Sequence, residues 1–142
     1  MNVLILCTGN SCRSQMAEGF LKSISDELEV FSAGTHPAST VHPNAVRVMK
    51  EIGIDLSTHT PKGVEQFLDQ EYDYVITVCG EAKESCPAFI STVKNRIHMG
   101  FEDPAKVTGS EEFVLGEFRR IRDQIRDQFS DWAKLVLSTQ QS

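Results

Sequence analysis

Residues 3–14 read Val3-Leu4-Ile5-Leu6-Cys7-Thr8-Gly9-Asn10-Ser11-Cys12-Arg13-Ser14, a cysteine and an arginine bracketing five residues directly after an apolar run. The run is short and continuous, which is the pattern of a buried strand. From Ser14 onward, Met16, Ala17, Phe20, Leu21 and Ile24 recur at helical spacing, so a helix follows. Cys7 to Ser14 is then a strand-to-helix loop. Its backbone N–H groups have no intrahelical partner and converge in front of the positive end of the helix dipole. Gly9 and Asn10 tolerate the φ values that a loop curled around an anion requires. Arg13 adds a planar fork that matches two oxygens of an oxyanion. The expected anion contacts are therefore Thr8, Gly9, Asn10, Ser11, Cys12, Arg13 and Ser14. Cys7 stands at the rim, where this field is expected to pull its pKa below the usual ~8.5.

A chain of 142 residues is expected to form one domain, 1–142, with a core large enough to need no staples. The first apolar run has no basic leader and passes straight into the loop, so it does not read as a signal peptide. No stretch approaches the length needed to cross a bilayer. A cytoplasmic protein without membrane or nucleic-acid partners is expected, since a formal net charge of −6 offers no basic face. That charge also means that an anion must be drawn in locally, by the loop amides and Arg13. In a reducing compartment, four cysteines point to catalysis or metal binding rather than structural bridges. Cys7 and Cys12 are separated by four residues and Cys79 and Cys86 by six, unlike the tight pairs of structural zinc sites. His36, His42, His59 and His98 show no ligand spacing either, and no metal is expected.

Apolar runs and amphipathic stretches alternate, implying an α/β fold with a four-stranded open parallel sheet and helices on both faces. Strands are expected at about 2–7, Glu29 to Ser32 (closed by Ala33-Gly34), Tyr72 to Val78, and Arg96 to Met99. Helices are expected at about 14–25, from Pro43 to a stop at Gly53, from Pro61 to about Leu68, and from Ser110 onward. In the last of these, Val114, Phe118, Ile121, Ile125, Phe129, Trp132 and Val136 form one stripe, read as core. In such a sheet ligands sit beyond the carboxyl ends of the strands. Cys7 and Cys79 both lie at such ends.

The stretch Cys7 to Glu18 (CTGNSCRSQMAE) resembles the phosphate loop of the low-molecular-weight protein tyrosine phosphatase family, and more narrowly the thioredoxin-coupled arsenate reductases built on that fold. Ser32-Ala33-Gly34, Pro43-Asn44-Ala45, Val78-Cys79-Gly80, Cys86-Pro87 and Asp103-Pro104 follow in the order that this resemblance requires.

The resemblance implies arsenate as substrate, with phosphate or sulfate as analogues. It implies Cys7 as nucleophile and Asp103 as the group that protonates a departing oxygen. Three thiols, Cys7, Cys79 and Cys86, permit a relay that ends in a redox-active Cys79–Cys86 disulfide. No bound cofactor is implied; thioredoxin is the implied reductant. A continuous helix from Cys79 to Cys86 would separate its ends by ~10 Å, too far for a disulfide, so oxidation is expected to remodel that stretch. Phosphatases of the family usually follow Asp-Pro with tyrosines that grip an aryl ester, whereas Ala105-Lys106-Val107 stands here. Some reductases of the family bind potassium through residues like Asn10, Glu18 and Ser32 plus an aspartate. Lys62 is expected in that aspartate's place, its ammonium substituting for the ion. Two alternatives stay open: a phosphomonoesterase using only Cys7, Arg13 and Asp103, and a non-catalytic redox or phosphate sensor.

Overall fold

The run Val3–Leu6 is wholly buried, and this dictates its place. A strand with apolar side chains in both directions must be covered on both faces, hence central. In the computed structural model, which describes residues 1–80 and 93–140, β1 (Asn2–Cys7) pairs on one side with β2 (Glu29–Gly34) and on the other with β3 (Tyr72–Thr77). The fourth strand, β4 (Val93–His98), pairs with β3, giving the order β2-β1-β3-β4 with every pair parallel. The chain leaves β1 toward β2 and leaves β3 toward β4. The two connections diverge between β1 and β3, opening a crevice at the carboxyl ends of those strands.

Among the described residues three α-helices complete the framework: α1 (Arg13–Ile24), α2 (Pro43–Lys50) and α3 (Glu111–Gln140). The helix α3 packs along α1, and Arg122 on it donates to the carbonyl of Val48 in α2 at 3.0 Å. The expected stripe of α3 is its buried face: Phe118, Ile121, Ile125 and Phe129 are all but inaccessible. Each such side chain contributes about 1.5–3 kcal/mol on leaving water. Tyr74 of β3 meets Trp132 of α3 edge-on at 5.0 Å. Phe31 of β2 meets Phe67 at 5.7 Å instead. Tyr74 is in register with Val3, whereas Phe31 is in register with its neighbour Leu4, so the two rings lie on opposite faces. Helical segments thus cover both faces, α3 on one and the short 3₁₀ turn Val64–Phe67 on the other.

Four expected boundaries differ, each for a tertiary reason. The strand β2 runs through Ala33-Gly34, because Gly34 is in register with Cys7. Residues 61–63 are not helical: the Lys62 carbonyl accepts from Gly34 N–H at 2.8 Å and its N–H goes to Asn10. The expected helix shrinks to Val64–Phe67. The fourth strand lies at Val93–His98 rather than 96–99. Lys94, Asn95 and Arg96 are exposed on this edge, so it carries no apolar signature; such polar edges also resist pairing with other chains. The helix α2 ends at Lys50, and Gly53 (φ 84°) closes the turn that follows.

Gly34 is the point where β2 presses on the loop. A Cβ there would stand 2.5 Å from the Thr8 carbonyl oxygen and 3.1 Å from the Asn10 nitrogen, both backbone atoms. Gly34→Ala is expected to lower stability by about 1–3 kcal/mol, as other overpacked sites do. Gly116→Ala, in open space on α3, is expected to raise it by up to about 1 kcal/mol. Urea unfolding of both variants checks the pair; equal, near-zero shifts would contradict the close approach.

Candidate active site

The loop's shape follows from where its carbonyls go. Those of Cys7, Thr8, Gly9 and Ser11 accept the N–H groups of Thr35, His36, Ala38 and His42 at 2.9–3.1 Å. With these carbonyls turned outward against residues 35–42, the intervening amides face the concave side, the arrangement of an anion-binding nest. Asn10 makes the curl with φ 51°, the one positive φ outside glycine among the described residues. Its side chain is fully buried and saturated. Nδ2 donates to Ser14 Oγ at 2.8 Å and Ser32 Oγ at 3.0 Å, and Oδ1 accepts from Gln15 Nε2 at 3.0 Å and Lys62 N–H at 2.9 Å.

Beneath Asn10 lies a second layer. Ser32 Oγ donates to Glu18 Oε1 at 3.0 Å. His59 Nδ1 stands 2.9 Å from Gln15 Oε1 and 3.2 Å from Glu18 Oε2. Both partners accept, so Nδ1 carries the hydrogen. Burial lowers the His59 pKa, with Glu18 pulling the other way, which favours the neutral donor at pH 7. The expectation that the Lys62 ammonium would stand in the cation's place is corrected. Lys62 Nζ donates to the Thr60 carbonyl at 3.2 Å, and the groups on Glu18 are Ser32, His59 and Lys22. Sequence reasoning missed the supporting roles of Gln15 and His59: Gln15 follows the loop directly but its type names no partner, and His59, 45 positions beyond Ser14, leaves no local signal.

The concave side opens into a cavity of about 400 Å³ lined by Cys7, Thr8, Gly9, Ser11, Cys12, Arg13, Cys79, Gly80, Asp103, Ala105 and Lys106. Of the expected anion contacts, Asn10 and Ser14 do not line it; they lie behind the loop as its supports. Arg13 is anchored at two points: Nη1 donates to the Phe101 carbonyl at 3.0 Å and Nη2 lies 3.5 Å from Asp103 Oδ2. Its Nε is buried without an acceptor among the described residues. Such a donor costs about 1–3 kcal/mol unless satisfied, and an oxyanion seated in the loop would satisfy it. Asp103 is held from the other side, Oδ1 accepting from Ala105 N–H at 3.0 Å.

Cys79 reaches the same cavity because Val78 N–H bonds the Leu6 carbonyl at 3.0 Å, carrying the end of β3 alongside the end of β1. Its sulfur lies 3.3 Å from Thr8 Oγ1 and hydrogen-bonds the Cys7 sulfur. Cys7 and Cys79 are almost wholly buried. The expectation of a depressed Cys7 pKa is therefore corrected. The hydrogen bond with Cys79 and then burial push the Cys7 thiol up, against the opposing pull of Arg13 and of Thr8 N–H. Two touching thiols share their protons, and a second charge beside the first is resisted. Burial likewise pushes the Cys12 thiol up, to about 12. Cys86, and with it the expected Cys79–Cys86 pairing and its remodelling, lies outside the described residues.

A cysteine-bearing loop with inward-facing amides at the end of the first strand of a four-stranded parallel sheet defines a class. Residues 2–142 match the family described as low molecular weight phosphotyrosine protein phosphatase, and the chain belongs to that family. Among its relatives are arsenate reductases of Halalkalibacterium halodurans, 50% identical, and of Bacillus subtilis, 45% identical, each over 93% of this chain and 94% of the relative. A solved arsenate reductase in the phosphate binding state superimposes with TM-score 0.77 at 34% identity, covering 92% of this chain and 95% of the other. A low molecular weight protein tyrosine phosphatase from T. tengcongensis has TM-score 0.78 at 26% identity, covering 94% and 98%.

If Cys79 is the main influence raising the Cys7 pKa, removing it must let Arg13 and the loop prevail. In Cys79→Ala, the pH midpoint of Cys7 alkylation by iodoacetamide is expected to fall below that of the wild type, read on the Cys7 peptide by mass spectrometry. An unchanged or higher midpoint would contradict the coupling.

Proposed function

We propose that this protein reduces arsenate to arsenite. The observation that carries the reading is the second thiol: Cys79 hydrogen-bonds the nucleophile inside the oxyanion cavity. A phosphatase needs one thiolate and one acid; a neighbouring thiol gains a purpose only when electrons must be supplied. The relatives named as arsenate reductases at 45–50% identity support the same reading.

Arsenate settles on the loop amides, with Arg13 offering Nε and an Nη. The Cys7 sulfur attacks arsenic. The Cys7 proton and an arsenate hydroxyl leave together as water, Asp103 relaying the proton, and an S–As(V) bond remains. The amides and Arg13 hold the charge that develops on the arsenate oxygens. A raised Cys7 pKa is compatible with this step, because the thiol proton is itself consumed in making water. Cys79 next attacks the Cys7 sulfur. A Cys7–Cys79 disulfide forms, the S–As electron pair stays with arsenic, and the Cys79 proton leaves with arsenite. Cys86 then attacks the Cys79 sulfur, which frees Cys7 as a thiol and leaves a Cys79–Cys86 disulfide. Thioredoxin, an external dithiol, reduces that bond by exchange and is itself oxidised. No metal or bound cofactor takes part, and a thioredoxin-linked cycle belongs to the cytoplasm.

The variants separate the roles. Cys7→Ser is expected to abolish arsenate reduction and any phosphomonoesterase activity together. Cys79→Ser is expected to lose reduction while keeping hydrolysis of a phosphomonoester. Cys86→Ser is expected to release about one arsenite per chain and stop as a Cys7–Cys79 disulfide. Arsenite release with thioredoxin, its reductase and NADPH measures all three. Free turnover by Cys86→Ser would overturn the relay, and arsenate reduction by Cys79→Ser would overturn the role of the second thiol.

A further inference from the structure

We infer that Lys106 is a specificity-determining residue of this site, a second cation that favours doubly over singly charged tetrahedral anions. The inference rests on the oxyanion cavity of the proposed reductase and names a part of it that the mechanism leaves unused. Lys106 lines the cavity beside Asp103 and Ala105. Its position at the rim is set by the backbone. Asp103 Oδ1 caps the 3₁₀ turn Pro104–Lys106 through Ala105 N–H at 3.0 Å, and Lys106 N–H returns to the Asp103 carbonyl at 3.3 Å. Pro104, between them, is buried. The rim lysine therefore moves with the carboxylate that meets Arg13, and only its side chain is free to follow a ligand.

The charges around the cavity make that side chain matter. Arg13 already faces Asp103 at 3.5 Å, so the two largely cancel at a distance. Lys106 forms no ion pair among the described residues and is exposed. It supplies uncompensated positive charge at the mouth of a protein whose net charge of −6 repels anions. None of the described residues lining the cavity is aromatic. The nearest ring in sequence, Phe101, is buried and stacked on Phe129 at 6.2 Å. Among the described residues none at the rim offers a ring to an ester's organic group, and the discriminating property they supply is charge. Coulomb attraction scales with the ligand's charge, so one ammonium at roughly 7 Å in a watery rim favours a dianion by about three- to tenfold and a monoanion by about the square root of that. Added salt screens both.

Protection of Cys7 from iodoacetamide tests this without any turnover. Sulfate serves as the tetrahedral dianion and perchlorate as the monoanion, each titrated at low ionic strength. In Lys106→Met the sulfate concentration for half-protection is expected to rise about three- to tenfold and that of perchlorate by only about two- to threefold. Lys106→Arg is expected to stay near the wild type. The sulfate difference between wild type and Lys106→Met is expected to shrink in high salt. Equal shifts for the two anions, or none, would overturn the selective role of Lys106 while leaving the oxyanion loop standing. Failure of sulfate and arsenate to protect the wild type would overturn the loop as an anion site, and the inference with it.

Discussion

One buried amide holds the site together. Asn10 occupies a left-handed conformation that costs an L-residue about 1–2 kcal/mol. Four hydrogen bonds from its side chain pin it there. They join the loop to α1 through Ser14 and Gln15, to β2 through Ser32, and to the 59–63 segment through Lys62. Each such bond contributes about 0.5–1.5 kcal/mol net, and breaking one inside the protein leaves a buried group unsatisfied. The conformation is thus over-determined, as a strained residue at a working site has to be. Glu18 and His59 extend the arrangement downward. Because Gln15, Ser32 and Glu18 are themselves saturated or buried, the loop has little room to sag, and its amides stay aimed whether or not an anion sits on them.

A rigid loop also explains why the two thiols meet in the resting protein. The ladder between β1 and β3 is continued past Thr77 by Val78 N–H to the Leu6 carbonyl, and both cysteines follow immediately. Cys7 and Cys79, proposed as nucleophile and electron donor, are neighbours because β1 and β3 are neighbours. The consequence is electrostatic as well as geometric. A thiol paired with another thiol in a buried crevice is harder to ionise, and in the proposed reduction its proton leaves in the same step that forms the bond to arsenic. Asp103, fixed by Ala105 N–H and facing Arg13, stands where such a proton would pass.

The fold was largely legible because its deciding signals are local. The apolar run before Cys7, the periodicity after Ser14 and the stripe of α3 each report burial of one element, and the structure places all three as expected. Boundaries failed where a partner distant in sequence decides. Residues 61–63 look helical alone but are extended, because Asn10 and Gly34 claim the backbone of Lys62. The edge strand β4 shows no apolar run because an edge needs none. At the site, residue types that line a loop could be read from spacing. Which of them face the cavity and which brace it could not: Asn10 and Ser14 belong to the same eight-residue motif as Thr8 and Ser11, yet turn the other way. The ionisation of Cys7 escaped for a related reason. The loop's field is written in one motif, but the thiol that opposes it stands 72 residues away.

The same contrast bears on how one scaffold can serve two chemistries. In the proposed function the loop, Arg13 and Asp103 receive a tetrahedral anion and move a proton, and they are held by contacts with α1, β2, residues 35–42, Lys62 and the turn after β4. What adds electrons, in the proposed relay, is a single position past β3, Cys79. A second segment, the short turn at Pro104–Lys106, brings no aromatic side chain to the cavity. Neither touches the bonds around Asn10. On the proposed reading, reaction type and ligand choice are carried by the two segments that border the cavity from outside, while the anion grip stays with the buried network. On that reading a change at Cys79 or Lys106 is expected to alter what the bound anion undergoes or how well it is held, and a change at Asn10, Gly34 or Glu18 whether there is a loop to hold it.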